Sequence, residues 1–218
     1  MFLTRFEINQ ARRGAQKLLG SPQAMHAAVL AGFPSLLDKE KPAGRVLWRL
    51  DSSGQSTLLY VVSPTAPDLT HLVEQAGWPQ TATWQTKDYQ PLLESVAAGQ
   101  RWGFRLTANV AVSKTLEHDK RSNRYGHVTV EQQHEWFVTR TKKHGFRIAD
   151  NANGFEALAI RDRVVKQFRR QGSLVTLATA TFDGVLEIAD ADALRAALIG
   201  GIGPAKAYGC GLLTLAPV

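Results

Sequence analysis

Two successive rounds of strand, helix, strand, strand, helix, strand predict an α+β chain of tandem ferredoxin-like (RRM-like) βαββαβ domains, each with an antiparallel sheet. The prediction rests on period-two alternation of apolar residues, capping residues at the helix starts, and glycines at the helix ends. The joint falls near Pro91, dividing the chain into 1–91 and 92–218. Only the order of elements repeats between the halves; the residues do not.

In the first half, Phe2–Ile8 alternates as a strand, and Ser21-Pro22 opens a helix, Ser being a favoured N-cap and Pro suiting the first helical position. Arg45–Leu50 and Thr57–Val62 read as strands joined by the turn-forming Asp51-Ser52-Ser53-Gly54. Leu69–Ala76 is a short helix ended by Gly77, and Thr83–Tyr89 a closing strand. In the second half, Arg101–Val112 is a strand, and Thr129-Val130-Glu131-Gln132 is a capping box that starts a helix reaching Gly145. Phe155–Arg161 and Leu174–Ile188 are strands on either side of a basic segment, with a turn or bulge at Asp183-Gly184. Asp190 caps a helix with an apolar stripe at Leu194, Ala197 and Leu198; Gly200 and Gly201 end it, and Gly211–Leu215 is the last strand.

Composition narrows the function classes. The 218 residues suffice for one large domain or two of about 100 residues each. No stretch approaches the roughly 18 apolar residues of a membrane helix. The opening Met1–Glu7 reads as a strand rather than a signal peptide, so the expected location is the cytoplasm and no membrane partner is expected. A single cysteine, Cys210, forbids an internal disulfide and a multi-cysteine zinc site. Net charge is +7, from 26 basic and 19 acidic residues. With a pI near 9.8, a polyanionic partner fits. Arg161–Gly172, RDRVVKQFRRQG, holds five basic residues (Arg161, Arg163, Lys166, Arg169, Arg170) against one acid. Its plain alternative is a solvated charged loop.

No H-E-x-x-H, Walker loop or G-x-S-x-G elbow is present, and the acids do not cluster as a two-metal nuclease requires. Neither a cofactor nor a metal is expected. His26 sits about one turn into the first helix, beside the buried stripe of Met25, Ala28 and Val29, with Gln23 one turn earlier on the same side. An imidazole there could accept a proton near neutral pH, though spacing alone favours a surface or boundary histidine. His134 and His144 read as solvent-facing or boundary residues. Between the last helix and the last strand, Gly200–Gly211 holds five glycines in twelve residues, Gly201, Gly203 and Gly209 among them. Such a loop lets backbone N–H groups approach a phosphate, with Lys206 supplying charge and Tyr208 a stacking face. It also reads simply as a helix-to-strand connection with tight turns.

The closing run GIGPAKAYGCGLLTLAPV resembles the C-terminal signature of the CasE-type CRISPR RNA endoribonucleases, the crRNA-processing subunits of type I-E Cascade complexes. MFLTRFEIN, the His26 segment, FRLTANVAVSK at Phe104–Lys114 and FDGVLEIAD at Phe182–Asp190 follow in the expected order, so the resemblance spans the chain. It implies two ferredoxin-like domains and cleavage of the CRISPR repeat on the 3′ side of its hairpin. It also implies a 2′,3′-cyclic phosphate or 3′-phosphate product, retention of the cut RNA, and other Cascade subunits as partners. His26 matches the family's catalytic histidine. Some relatives carry a tyrosine three residues before it, where this chain has Gln23; a glutamine orients groups but is neither acid nor base at neutral pH. Lys114 and Lys206 are further candidates to stabilise charge. The basic segment then fits a hairpin tip following the phosphates of an RNA stem. The rival reading, favoured by Gln23, is a tandem RNA-binding module that holds its RNA without cutting it.

Overall fold

The alternation of Phe2–Ile8 becomes β1, with Thr4, Phe6 and Ile8 turned inward and Arg5 and Glu7 outward. The computed structural model describes residues 1–33, 45–54, 56–79, 84–115, 122–170 and 172–218, without the side chains of 113–115, 122–125 and 170. These residues divide into two units: Met1–Ser95 with Lys206–Leu212, and Val96–Ala205 with Leu213–Val218.

The first unit continues with α1 (Arg13–Gly20), α2 (Pro22–Ala31), β2 (Leu47–Ser53), β3 (Ser56–Ser63), α3 (Thr70–Ala76), β4 (Trp84–Asp88) and α4 (Gln90–Ser95). Its antiparallel sheet runs β2-β3-β1-β4. Phe6, Ile8 and Leu59 from the sheet pack with Leu18, Met25 and Leu72 from the helices in one buried cluster. Helix α1, which periodicity did not reveal, packs against both α2 and α3. Gly14 makes the approach to α3 possible, since a Cβ there would lie 2.2 Å from the Gln75 carbonyl oxygen. The expected turn at Asp51–Gly54 is corrected. Asp51, Ser52 and Ser53 stay in β2, Ser53 pairs with Ser56, and the chain reverses at Gly54. Asp51 remains in the strand because its carboxylate is bound to Arg49 two residues earlier. Thr83, expected to open the closing strand, lies outside the described residues.

The second unit contains β5 (Arg101–Asn109), β6 (Ala111–Thr115), β7 (Ser122–Gly126), α5 (Val130–Thr141), β8 (Phe146–Ile148), β9 (Leu158–Arg170), β10 (Ser173–Ile188), α6 (Ala191–Gly200) and β11 (Leu213–Ala216). Its antiparallel sheet runs β11-β5-β10-β8, with β9 paired to β10 off that path and β6 pairing β7 separately. Thr129 forms the expected capping box with Gln132, and Asp190 accepts from the Asp192 and Ala193 amides. Phe137 of α5 stacks on Phe182 of β10 with centroids 4.5 Å apart.

Three expectations change here. The single strand Arg101–Val112 divides at Val110, whose amide donates to Ala178, while the Asn109 side chain accepts from the Ala178 amide. The expected strand Phe155–Arg161 begins at Leu158 and runs on through the basic segment to Arg170 as β9, and the short strand Phe146–Ile148, which was not expected, pairs with β10. Asp183-Gly184 is neither turn nor bulge: Asp183 pairs with Arg105 and Gly184 with Phe104 in continuous ladder. The register shift lies between Thr179 and Thr181, opposite Asp162, whose φ of 48° an aspartate tolerates better than most residues. No helix among the described residues is long and apolar enough to cross a membrane.

Candidate functional site

Helix α2 starts at Ser21, whose hydroxyl accepts from the Ala24 amide at 3.2 Å, with Pro22 at its first position. Met25 and Val29, one turn apart, are fully buried, so the helix's rotation is set by the core. His26, adjacent to Met25, is thereby held half-buried at the core's edge, and Gln23 is exposed one turn earlier. His71 has a structural place: its Nε2–H donates to the Ala28 carbonyl at 2.8 Å and ties α3 to α2.

The C-terminal segment supplies the other half of this site. The 3-10 turn Lys206–Tyr208 packs against α2 and β2. Lys206 and Tyr208 are half-buried. Burial, and then the nearby Arg45 guanidinium, hold the Lys206 ammonium below the usual lysine range. Gly209, at φ 78°, lies against the Trp48 ring, where a Cβ would come within 2.6 Å; only glycine satisfies both constraints. Arg49, 2% exposed, completes the attachment. Its Nη1 donates to the Leu212 carbonyl at 2.9 Å, while Nε and Nη2 hold Asp51 at 2.6 and 2.8 Å. Its guanidinium also lies 5.5 Å from the Tyr60 ring centre.

The candidate residues therefore fall into two groups. His26, Gln23, Lys206, Tyr208 and Gly209 belong to the first unit. Gly201 and Gly203 belong to the second, Gly201 ending α6 at φ 72° and Gly203 facing the Trp136 ring. Lys114 lies in β6 and Arg170 at the end of β9, both with side chains outside the described residues, as is His118 altogether.

The basic strand is not uniformly available to a ligand. Asp183 binds Arg105 at 2.5 Å and also Arg161, which lowers the local positive charge. Arg163 donates to the Gln133 side chain at 2.8 Å and to the Val128 carbonyl at 2.6 Å, anchoring β9 beside α5. Lys166 and Arg169 are exposed further along the strand. Among the described residues, no three His, Cys, Asp or Glu side chains gather closely enough to hold a metal ion.

Sequence reading missed Arg45 and the Arg49–Asp51 pair. The latter had a signal: Arg and Asp two residues apart in a strand share a face, and an arginine among Val46, Leu47 and Trp48 needs a partner when buried.

Comparison with known proteins is consistent along the whole chain. The family model described as CRISPR associated protein matches residues 1–217. The CRISPR-associated endoribonuclease Cse3 of Thermus thermophilus is 31% identical over 224 aligned positions, spanning 100% of both chains. The CRISPR system Cascade subunit CasE of Escherichia coli K12 is 30% identical over 79% of this chain and 89% of its own. The structure of Thermus thermophilus Cse3 bound to an RNA representing a pre-cleavage complex matches with a TM-score of 0.78 and 29% identity, covering 99% of this chain and 98% of that one.

Proposed function

The chain belongs to the family of CRISPR-associated proteins that includes the endoribonuclease Cse3 and the Cascade subunit CasE, and we propose that it is itself a CRISPR repeat endoribonuclease. It binds the repeat hairpin, cuts at its 3′ side without a metal and keeps the mature crRNA within a Cascade complex. The strand orders 2-3-1-4 and 4-1-3-2, counted within each unit's main sheet, support a tandem ferredoxin-like reading. Fold alone does not assign chemistry. The proposal is carried by the packing of the Lys206–Tyr208 turn against the helix that bears His26. Chain ends 180 residues apart thus bring a proton acceptor and a partly desolvated cation to one unit.

RNA supplies its own nucleophile. The 2′-oxygen attacks the adjacent phosphorus, the bond from phosphorus to the 5′-oxygen breaks, and a 2′,3′-cyclic phosphate forms. The protein must hold the attacking and leaving oxygens in line. His26 accepts the 2′-hydroxyl proton, a role worth about 10²–10⁴ in rate. The Lys206 ammonium opposes the negative charge that develops on the phosphorane, and its partial desolvation strengthens that interaction. Gln23 can donate to a phosphate oxygen or orient the 2′-hydroxyl. Lys166 and Arg169 follow stem phosphates from the exposed basic strand, and Tyr208 offers a stacking face.

Gln23 is the observation that favours the second reading, a non-catalytic RNA-binding module. One experiment separates the two: His26→Ala, incubated with repeat RNA beside the parent protein. Cleavage by the parent, lost in the variant with hairpin affinity within a few-fold, is the expected result. A variant that cuts at the parent rate refutes the role of His26; a parent that binds without cutting supports the module.

A further inference from the structure

At the base of the β9–β10 hairpin lies a cavity of about 220 Å³ lined by His127, Gln133, Arg163, Val164, Val165 and Ala178. We propose that this cavity receives one unpaired nucleobase of the bound RNA, an inference that rests on the RNA-binding reading above. Its walls are fixed. Gln133, 3% exposed, donates through Nε2 to the His127 carbonyl at 3.0 Å and accepts from Arg163 at 2.8 Å. The His127 amide donates to the Val110 carbonyl at 2.7 Å. The register shift opposite Asp162 re-aims β9 immediately before Arg163, and such irregularities recur where a strand serves a binding site.

The lining selects a base rather than a phosphate. Val128, Val164 and Val165 are 56%, 45% and 55% exposed, an apolar surface that water gains little by covering and a π-face covers well. Arg163 of the lining already interacts with Glu131 in the first turn of α5, whose carboxyl is held below the usual carboxylate range by its own backbone amide, the Thr129 side chain and then Arg163. The positive end of that helix is therefore already answered by the chain's own acid. The His127 ring and the Arg163 N–H groups other than those given to Gln133 and Val128 provide donors for a base edge. The volume lies below the roughly 300–1,000 Å³ of drug-sized pockets, which suits a single ring system better than a peptide. A-form stems conceal their major-groove edges, so an unpaired nucleotide beside the stem is the base that a protein can read.

The test uses synthetic CRISPR repeat hairpins, carrying an abasic residue at each unpaired position in turn. Affinities are measured for the full-length parent and for His127→Ala/Val165→Ser, changes at a half-buried and an exposed position. One abasic position should weaken the parent by at least about fivefold, the lower end of base-stacking effects. The variant should bind the intact hairpin as weakly as the parent binds that abasic one, with no further loss on base removal. Equal abasic losses in both proteins, or none in a parent that still binds the hairpin, overturn the pocket and leave hairpin binding standing. If the variant instead loses only assembly with a purified Cascade subunit, the valines belong to a protein contact and the proposal fails. A parent with no affinity for any repeat hairpin removes the RNA reading and the pocket together.

Discussion

Removing the charge of Asp51 should release the C-terminal segment from the first unit. The pair is nearly dry, with side-chain exposures of 2% for Arg49 and 11% for Asp51. Asp51→Asn keeps the shape but leaves a buried guanidinium without its counter-charge, a change that typically costs about 3–5 kcal/mol. The same guanidinium holds the Leu212 carbonyl, so the loss falls on Lys206–Leu212. Cys210, the sole cysteine and 1% exposed, sits in that segment and reports its opening to a thiol reagent. Where reclosing outpaces labelling, the rate follows the opening equilibrium, and 3–5 kcal/mol becomes a rise of about 100- to 4,000-fold. The double change Arg49→Met/Asp51→Leu removes both charges and should lose less than the single one. It takes the Arg49 donor from the Leu212 carbonyl, at about 1–3 kcal/mol. An Asp51→Asn variant whose Cys210 labels less than about tenfold faster would falsify the idea that this pair fastens the segment.

Other consequences concern the proposed reaction. Cutting should persist in excess chelator and vanish with 2′-deoxyribose at the scissile nucleotide; dependence on added magnesium or a 3′-hydroxyl product contradicts internal attack. Lys166→Gln/Arg169→Gln should weaken all hairpins alike and lower the slope of log affinity against log salt by up to about 2, whereas an unchanged slope makes them solvated charges. The lowered Lys206 pKa means that the apo protein sheds this charge at a lower pH than the unfolded chain does. Between those two pKa values the unfolded chain binds more protons, so this group makes stability rise with pH there. RNA phosphate restores the charge, so affinity should fall as pH rises through the same window, and Arg45→Gln should move that fall to higher pH. A pH profile unaffected by Arg45→Gln or Lys206→Gln removes Lys206 from the site.

Local chemistry made much of this chain legible. The Ser21, Thr129 and Asp190 caps each act within three residues, so their meaning survives without knowledge of the fold. The burial of Met25 and Val29, and with it the edge position of His26, follows from helical period alone. The C-terminal glycine run was recognisable by family resemblance because close backbone approach restricts residue choice so severely.

What tertiary structure decided depends on pairs far apart in the chain. Sequence placed the glycine loop wholly in the second half, but Lys206–Leu212 packs into the first unit because Gly209 fits against the Trp48 ring and Arg49 donates to the Leu212 carbonyl. The basic run was expected at a hairpin tip; pairing with β10 makes it a whole arm of that hairpin and assigns Arg161 to Asp183 and Arg163 to Gln133. Charge composition counts cations, whereas only folded geometry determines which of them already have a partner.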